Sequence, residues 1–382
     1  MRITIYALHL GFGGVEKYVS NIANMLSEKH EVRIISTYRM NDKPAFYIKP
    51  EVHIEYLIEN LKPNQEEFKS AIKEKNIKNI FAEGFRALKI LRLKKKRNIE
   101  SIKKCNSDVI ISTRTFHNFL IGKYADKSII KITSEHNHHN NNDKYINEVV
   151  NSCKGFDFFL PISKELCDFY NDRMKTEGVE TKYIRYCHDQ DIPAIKKPEF
   201  KSKDLIYIGR LSQEKGVYEL LDVFKDIYKS DRNVKLHIVG DGSEANGMKN
   251  KTEEYGISQN VVFHGFQNKE YIYNLLPECS LYVMTSFTES FGIVLLESMS
   301  CGIPCIAYDS AQGAHEIIED GVNGYLIKDR NHKHMVEKIN TIISSEDELH
   351  RLSQGAYNTA DTFSYENTKE NWLDFMEKLD KK

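Results

Sequence analysis

The chain has 382 residues, a length that predicts two domains or one unusually large one. Apolar residues make up 41% of it, which is enough to bury sizeable cores and argues against a mainly disordered protein. The 54 basic and 55 acidic side chains leave a formal net charge of −1, so no nucleic-acid-binding surface is expected from composition. Any affinity for phosphate or membranes has to come from local clusters.

The apolar stretches and the cysteines predict a cytoplasmic protein. No apolar stretch approaches the roughly 20 residues that a membrane-spanning helix needs. The N-terminal apolar run leads into glycines without a cleavage-site pattern, which favours a first strand over a signal peptide. The seven cysteines are scattered without a C-x-x-C pair, as is typical of reduced, mostly buried thiols.

The first half of the chain alternates strands and helices. Arg2–Leu8 is predicted to be a strand, Gly11–Gly14 a turn, residues 15–26 a helix and Val32–Ser36 a second strand. Such a βαβ unit predicts a parallel sheet. Further strands are predicted at Asp108–Ser112, Ile129–Thr133 and Phe156–Leu160.

The segment Phe85–Lys104 is strongly basic, with apolar residues between the charges and Glu100 as its single acid. A basic amphipathic helix can lie on an anionic bilayer, gaining about 1 kcal/mol per basic residue near the headgroups. The same pattern also fits the solvated face of a helix on the first domain. The sequence leaves both interpretations open.

The alternation breaks between residues 180 and 203, where prolines and lysines predict a linker. It then resumes with strands and helices, and the chain ends in a helical stretch. The predicted strands are Leu205–Ile208, Lys235–Val239, Val261–Phe263, Leu281–Met284, Pro304–Ala307 and Asn323–Ile327, and the predicted helices are Val217–Tyr228 and Gly292–Ser300. We predict two doubly wound α/β domains, residues 1–185 and 186–361, whose ligands bind at the carboxyl ends of the strands.

Three loops at such ends carry candidate chemistry. The glycine loop at Gly11–Gly14 opens a helix and suits an anion, but Glu16 stands where a dinucleotide-binding loop has its third glycine. In the loop Gly209–Gly216, Arg210 and Lys215 are spaced to converge on one anion, for which a diphosphate is the natural fit. For the glycine loop, the alternative is a tight turn that binds no ligand. For Gly209–Gly216, the alternative is a surface turn whose charges are solvated.

The third loop, Glu289–Glu297, is the most specific. Eight residues separate its two carboxylates, roughly 12 Å if the stretch were helical, which is too far for a glycosidase pair. The spacing suits two polar ends of one extended ligand, with helix N-terminal amides facing a phosphate between them. The alternative is a pair of ordinary helix carboxylates.

These motifs resemble those of the retaining glycosyltransferases of family 4. The resemblance spans nearly the whole chain, is strongest over residues 205–327 and is carried by short motifs: Gly-Gly-x-Glu after strand 1, G-R-L-x-x-E-K-G, V-G-D-G, F-H-G-F, E-S-F-G-I-V-x-x-E, S-C-G-I-P and G-V-N-G-Y-L. It implies a GT-B fold, two Rossmann-like domains facing a central cleft. The nucleotide sugar would bind the C-terminal domain and the acceptor the N-terminal one, with a last helix at about 362–382 packing back on the first domain.

The resemblance also implies roles for individual residues. Arg210 and Lys215 would hold the donor diphosphate, Glu289 would lie against the sugar, and Glu297 would bind the ribose. The other donor-binding positions it implies are Gly14, Gly240, Gly265, Phe266, Phe291, Gly292 and Ile293. Phe266 and Gly265 would lie near the base.

A catalytic histidine is implied after an interior strand and best matches His136, with His138 and His139 as alternatives. Donors such as Arg210 and Lys215 could replace a divalent metal in stabilising the leaving diphosphate, so no metal or other cofactor is expected. Asp189-x-Asp191 resembles a metal-binding D-x-D but falls in the predicted linker, where we interpret it as a solvated turn. Retention without an obvious nucleophile suggests same-face displacement.

The sequence therefore predicts an enzyme that moves a hexose or N-acetylhexosamine, most simply from a UDP-sugar, to a glycan or lipid-linked acceptor of the cell surface. It would be cytoplasmic and could lie on the inner face of the membrane through Phe85–Lys104. The alternatives are a nucleotide-sugar epimerase of similar fold and a catalytically silent partner subunit. The presence of both cations and both carboxylates argues against the silent subunit.

Overall fold

The computed structural model describes residues 1–60, 67, 70, 72–74, 76–188 and 196–380. It divides into two compact units. The N-terminal unit comprises Met1–Ile184 and Lys369–Lys382, and the C-terminal unit comprises Arg185–Thr368. Pro193 and the Asp189-x-Asp191 motif lie outside the described residues.

The N-terminal unit contains a seven-stranded sheet and five helices among its described residues, besides the end of the last helix. Its strands are β1 (Arg2–Ala7), β2 (Glu31–Tyr38), β3 (His53–Ile58), β4 (Val109–Ser112), β5 (Ile130–Glu135), β6 (Phe158–Pro161) and β7 (Glu180–Thr181). Its helices are α1 (Gly14–Leu26), α2 (Ile77–Lys103), α3 (Thr115–Tyr124), α4 (Asp143–Ser152) and α5 (Lys164–Thr176).

The C-terminal unit contains a six-stranded sheet. Its strands are β8 (Leu205–Ile208), β9 (Leu236–Val239), β10 (Val261–Gly265), β11 (Leu281–Met284), β12 (Cys305–Tyr308) and β13 (Gly324–Ile327). Its helices are α6 (Val217–Ser230), α7 (Ala245–Glu254), α8 (Lys269–Leu275), α9 (Ile293–Ser300), α10 (Ala314–Ile317), α11 (His332–Ile343) and α12 (Glu346–Thr362), followed by α13 (Tyr365–Asp380).

The two sheets have the same topology. The strand order is β3-β2-β1-β4-β5-β6-β7 in the first and β10-β9-β8-β11-β12-β13 in the second, and every neighbouring pair is parallel. The order reverses between β1 and β4 in one sheet and between β8 and β11 in the other. Ligands of doubly wound sheets bind at this switch point, beyond the carboxyl ends of the strands.

Apolar runs form the strands because both faces of each parallel sheet are covered by helices. In the C-terminal unit, strands β8–β13 pack with α6, α11 and α12 around fully buried residues such as Phe224 and Leu352. In the N-terminal unit, a corresponding core includes Tyr6 and Tyr170. The last helix joins this unit from Lys369 onward, where Lys369 lies 3.2 Å from Glu28 and Trp372 is buried.

The predicted parallel α/β architecture is confirmed, and the structure has the GT-B fold. Two strands were missed. The strand His53–Ile58 has a weak apolar signal in the sequence, because it lies beyond β2 at one edge of the described sheet, where most of its side chains are exposed or only partly buried. Glu180–Thr181 pairs with β6 inside the stretch that we interpreted as the start of the linker. The helix in the basic segment begins at Ile77, earlier than Phe85.

All seven cysteines are free, and six are buried. Burial raises the pKa of Cys153 and of Cys301 to about 12, so both stay as neutral thiols near neutral pH. The prediction that the cysteines are mostly buried and form no disulfides with one another is confirmed.

Candidate active site

In the C-terminal unit, the predicted donor loops lie at the switch point of the sheet. The loop with Arg210 and Lys215 follows β8, and the loop with Glu289 follows β11, the neighbouring strand. A main-chain hydrogen bond joins the two loops, in which Phe287 N donates to Glu214 O at 2.9 Å. Residues far apart in sequence are thus brought to one edge of the sheet.

Lys215 and Glu289 form an ion pair in this site. Nζ of Lys215 lies 2.5 Å from Oε2 of Glu289, and each side chain is about one-fifth exposed. A partly buried pair is screened less by water than a surface pair. The pair gives the site a cation and a carboxylate in contact, both able to reach a polar ligand.

Arg210 adopts a different arrangement from the one expected. Its guanidinium is 69% exposed and pairs with Glu214 at 2.9 Å, instead of converging with Lys215 on a common point. Because an exposed ion pair contributes only about 0–1 kcal/mol, a diphosphate could compete with Glu214 for the guanidinium at little cost.

Glycine allows the two strand ends to approach closely. Gly216 has φ +63° and follows Lys215, and a Cβ there would overlap the carbonyl oxygen of Thr285 at the end of β11. The hydroxyl of Thr285 donates to Gly216 O at 2.8 Å. A similar constraint applies at Gly240, where a Cβ would overlap the carbonyl oxygen of Gly209. Gly216 thus sets the position of the cationic loop relative to β11, and Gly240 sets it relative to β9.

The segment from Glu289 to Glu297 is loop followed by helix. Gly292 has φ +86° and precedes α9, which begins at Ile293 and carries Glu297 on its second turn. Glu289 O accepts a hydrogen bond from Gly313 N at 2.8 Å, which fixes the loop. As predicted, the start of α9 lies between the two carboxylates along the chain. Phe291 itself is buried, and Gly313 packs closely against its backbone.

An aromatic ring marks the carboxyl end of β10. Phe266 is 71% exposed, and Gly265 before it has φ +67°. The neighbouring His264 is held by Tyr271 OH at 2.7 Å and by the His237 ring at 2.9 Å. An exposed ring on a fixed strand end is suited to stacking against a planar base.

In the N-terminal unit, His136 follows β5 directly and is 92% buried. Burial, with a smaller contribution from Arg114, lowers its pKa to about 3, so the ring is neutral near pH 7. Its Nε2 lies 2.9 Å from Ser134 Oγ. His138 and His139 stack on each other, and His139 also stacks on Phe169. The His136 ring packs edge-to-face against Tyr18, with ring centres 4.4 Å apart.

The residues that precede His136 are also part of this site. The carboxylate of Glu135 accepts hydrogen bonds from the backbone of His136 and Asn137 and from Tyr145 OH, and burial raises its pKa.

Gly14, the remaining predicted N-terminal residue, is the first residue of α1. Within the described ranges, no group of three or more His, Cys, Asp or Glu side chains is placed to hold a metal ion.

Sequence reasoning missed an ion pair between the β1 and β4 loops. Glu16 is 4% exposed, and its Oε1 lies 3.2 Å from Nη2 of Arg114, which follows β4. The signals available were a glutamate immediately after the glycine loop and an arginine two residues beyond a buried strand. Nothing in the sequence showed that β1 and β4 are neighbours.

Comparison with known proteins agrees with this geometry. Residues 189–359 match the family model described as glycosyl transferases group 1, a range that contains every donor-site residue of the C-terminal unit discussed above. By this match, the C-terminal part of the chain is similar to group 1 glycosyltransferases. The resemblance inferred from its motifs is confirmed.

Two relatives align with this chain over most of its length. The lipopolysaccharide 1,6-galactosyltransferase of Salmonella typhimurium is 25% identical over 347 residues, 88% of each chain. The N-acetylgalactosamine-N,N'-diacetylbacillosaminyl-diphospho-undecaprenol 4-alpha-N-acetylgalactosaminyltransferase of Campylobacter jejuni is 25% identical over 368 residues, 90% of this chain and 91% of that one.

Solved structures show the same fold. The apo form of the lipopolysaccharide outer core galactosyltransferase WaaB superposes with a TM-score of 0.70 at 21% identity, covering 98% of this chain and all of that one. Anabaena Alr3699/HepE in complex with UDP gives a TM-score of 0.73 at 17% identity, covering 99% and 100%.

Proposed function

We propose that this protein is a glycosyltransferase that transfers a hexose or N-acetylhexosamine, with retention of configuration, from a UDP-sugar to a glycan or lipid-linked acceptor of the cell surface. The observation that carries the proposal is the contact between Lys215 and Glu289 at the switch point of the C-terminal unit. The relatives support the acceptor class, since one acts on lipopolysaccharide and another on a diphospho-undecaprenol by name. A solved structure of the same fold is a complex with UDP.

The proposed mechanism follows from where charge develops. When the bond between sugar and phosphate breaks, the leaving nucleoside diphosphate gains negative charge, which Lys215, Arg210 and the amides at the start of α9 would stabilise. Glu289 would orient the sugar, and Glu297 would accept hydrogen bonds from the ribose. His136, neutral and buried, would act at the sugar as a hydrogen-bonding group. We propose that these donors act without a divalent metal.

A panel of nucleotide sugars tests the donor and the metal together. The full chain is melted with UDP-glucose, UDP-galactose, UDP-N-acetylglucosamine and UDP-N-acetylgalactosamine, and with the corresponding free sugars, in EDTA. We expect at least one UDP-sugar to stabilise the chain, by about 2.7 kcal/mol at 100 times its dissociation constant.

GDP-mannose and ADP-glucose are the matched controls for the base. If only GDP-mannose or only ADP-glucose stabilises the chain, guanosine or adenosine would replace uridine as the proposed nucleoside of the donor. No stabilisation without added Mg²⁺ or Mn²⁺, followed by stabilisation with it, would contradict metal independence. No response to any nucleotide sugar in either buffer would contradict the proposed donor class.

We further propose that the enzyme works as a peripheral protein on the cytoplasmic face of an anionic membrane. Helix α2 supports this, because it has an apolar stripe on its surface, with residues spaced three or four apart and each 55–75% exposed: Ile77, Phe81, Phe85, Leu88 and Leu91. Exposed apolar stripes of this kind are unusual on soluble surfaces. Arg92, Lys95 and Lys96 follow on the same helix and are exposed. No helix within the described ranges is both long and apolar enough to cross a membrane.

Sedimentation with vesicles tests the membrane proposal. We expect the full chain to bind phosphatidylglycerol-containing vesicles and not pure phosphatidylcholine, with binding that weakens as salt rises. Phe81→Ser with Phe85→Ser should abolish most binding at low salt, and Arg92, Lys95 and Lys96→Gln should remove the preference for anionic lipid. Phe266→Ser, which changes an exposed ring of the C-terminal unit, is the control. Binding indifferent to lipid charge and to these changes would contradict the proposal.

A further inference from the structure

The switch point of the N-terminal sheet contains a cluster of cations that the proposed donor chemistry does not use. Arg114 follows β4, and its guanidinium contacts Glu16, which follows the glycine loop after β1. Lys94 of α2 reaches the same region, where its Nζ lies 3.7 Å from the centre of the Phe116 ring, two residues after Arg114. This is the position at which a doubly wound sheet binds its ligand.

The cluster has more positive than negative charge. Burial lowers the pKa of Lys94, and repulsion from Arg114 lowers it further, with no carboxylate acting in the opposite direction. Glu16 is the carboxylate that contacts Arg114, and in the described part of the chain Lys94 has no acidic partner. His117 is neutral near pH 7, since burial and both cations lower its pKa to about 3. Of these two partly buried cations, only Arg114 contacts a carboxylate in the described part of the chain.

Several buried polar atoms around Arg114 lack a partner. Arg114 Nε, Thr113 Oγ1 and His136 Nδ1 are buried without a hydrogen bond within the described residues. Leaving such an atom unsatisfied costs roughly 1–3 kcal/mol, and more when the group is charged. The imidazole of His136 is itself 92% buried. Unused donors beside excess positive charge are the features of a site that binds an anion.

The position of Arg114 is set by Glu16. Glu16 Oε1 lies 3.2 Å from Arg114 Nη2, and a Cβ on Gly13 would overlap Glu16 Oε2. The same oxygen Oε1 lies 3.5 Å from His9 Nδ1, which accepts a hydrogen bond from Gly11 N. With one hydrogen of Nη2 engaged, the guanidinium still has Nε, Nη1 and the second hydrogen of Nη2 as donors to a phosphoryl group.

We propose that Arg114 and Lys94 form a phosphoryl-binding subsite in the N-terminal unit, with Glu16 as the residue that positions the guanidinium. The ligand class is a phosphate or diphosphate monoester, and we assign it to the acceptor. That last assignment rests on the proposed function, in which the donor diphosphate binds Arg210 and Lys215 of the other unit. The same chemistry would serve a lipid diphosphate or a phosphorylated glycan.

Calorimetric titration of the full chain with inorganic pyrophosphate tests the subsite while saturating UDP occupies the donor site. We expect Arg114→Gln to raise the dissociation constant of pyrophosphate at least tenfold, and Lys94→Gln to raise it three- to tenfold. Lys78→Gln removes an exposed charge from the same helix and should change it less than twofold. All variants should bind UDP as the unchanged chain does.

Glu16→Gln separates anion binding from a merely structural ion pair. The amide keeps an acceptor for Nη2 but removes the negative charge, so pyrophosphate should bind equally well or more tightly. If the ion pair were only structural, Glu16→Gln and Arg114→Gln would both lower the melting temperature, and neither would specifically change the dissociation constant of pyrophosphate. The double variant Glu16→Gln/Arg114→Gln has no unpaired carboxylate, and it should be folded and bind pyrophosphate as weakly as Arg114→Gln.

The proposal is overturned if Arg114→Gln binds pyrophosphate like the unchanged chain, or if it weakens UDP binding instead. Failure of UDP to bind the unchanged chain would contradict the donor proposal alone, because the pyrophosphate titration can be repeated without UDP. Farnesyl diphosphate and glucose 6-phosphate, titrated in the same way, distinguish the two sources of the phosphoryl group. Tighter, Arg114-dependent binding of farnesyl diphosphate would assign the phosphoryl group to a lipid carrier. Tighter, Arg114-dependent binding of glucose 6-phosphate would assign it to a glycan.

Discussion

Replacing Lys215 with alanine is expected to lower kcat/KM for the sugar donor by about 100- to 1000-fold. The substitution removes a preorganised cation at the point where the leaving diphosphate gains charge, and such a donor is worth about 2.7–4 kcal/mol in the transition state. It also leaves Glu289 without its partner at 2.5 Å. Glu289→Ala should cause a loss of similar size, since the carboxylate that orients the sugar is removed. Initial rates of UDP release measure both.

The control for these variants is Lys229→Ala, which breaks an exposed lysine–aspartate pair on helix α6 of the same unit. It should leave kcat/KM within about twofold, as expected for a surface ion pair. Circular dichroism melts must show that Lys215→Ala and Glu289→Ala remain folded. If both folded variants keep full activity, the site assignment is wrong.

Gly216→Ala is expected to destabilise the C-terminal unit by about 2–5 kcal/mol. Gly216 has φ +63°, which costs an L-residue about 1–2 kcal/mol, and the new Cβ would overlap the carbonyl oxygen of Thr285. Overpacking of this kind typically costs about 1–3 kcal/mol more. Urea denaturation, followed by tyrosine fluorescence and far-ultraviolet circular dichroism, measures the change in the free energy of unfolding.

Gly178→Ala is the matched control. Gly178 has φ +75°, but nothing lies within 4 Å of a Cβ built there. Its cost should be limited to the backbone term of about 1–2 kcal/mol. Equal destabilisation by the two substitutions would show that the approach of Gly216 to β11 is not constrained as the structure indicates.

The strands that run through the interior were predictable from sequence. Leu205–Ile208 and Leu281–Met284 have the predicted bounds, since continuous apolar runs bounded by loops arise when a parallel sheet is covered on both faces. His53–Ile58 was missed because its side chains alternate between partly buried and exposed positions. Local pattern is informative where burial is complete and fails where it is partial.

The candidate site divides in the same way. Lys215 and Glu289 were predicted individually from their loops, and the structure adds that they touch. Arg210 was expected beside Lys215 but pairs with Glu214, four residues on, because a long exposed side chain pairs with the nearest opposite charge. Lys94 was counted among the basic residues of Phe85–Lys104, for which a membrane-binding face and a solvated face were both left open, although its side chain is partly buried against Phe116.

The sequence by itself determined the alternation of strands and helices, the glycine-bounded loops and the kinds of charged residue at the strand ends. These depend on local backbone preference and on apolar periodicity, which neighbouring residues encode. The tertiary structure alone decided that β1 lies beside β4 and β8 beside β11, and hence that Glu16 meets Arg114 and Lys215 meets Glu289. Such pairings join residues 74 and 98 positions apart. They arise from the packing of whole elements around a core, which no local stretch of sequence specifies.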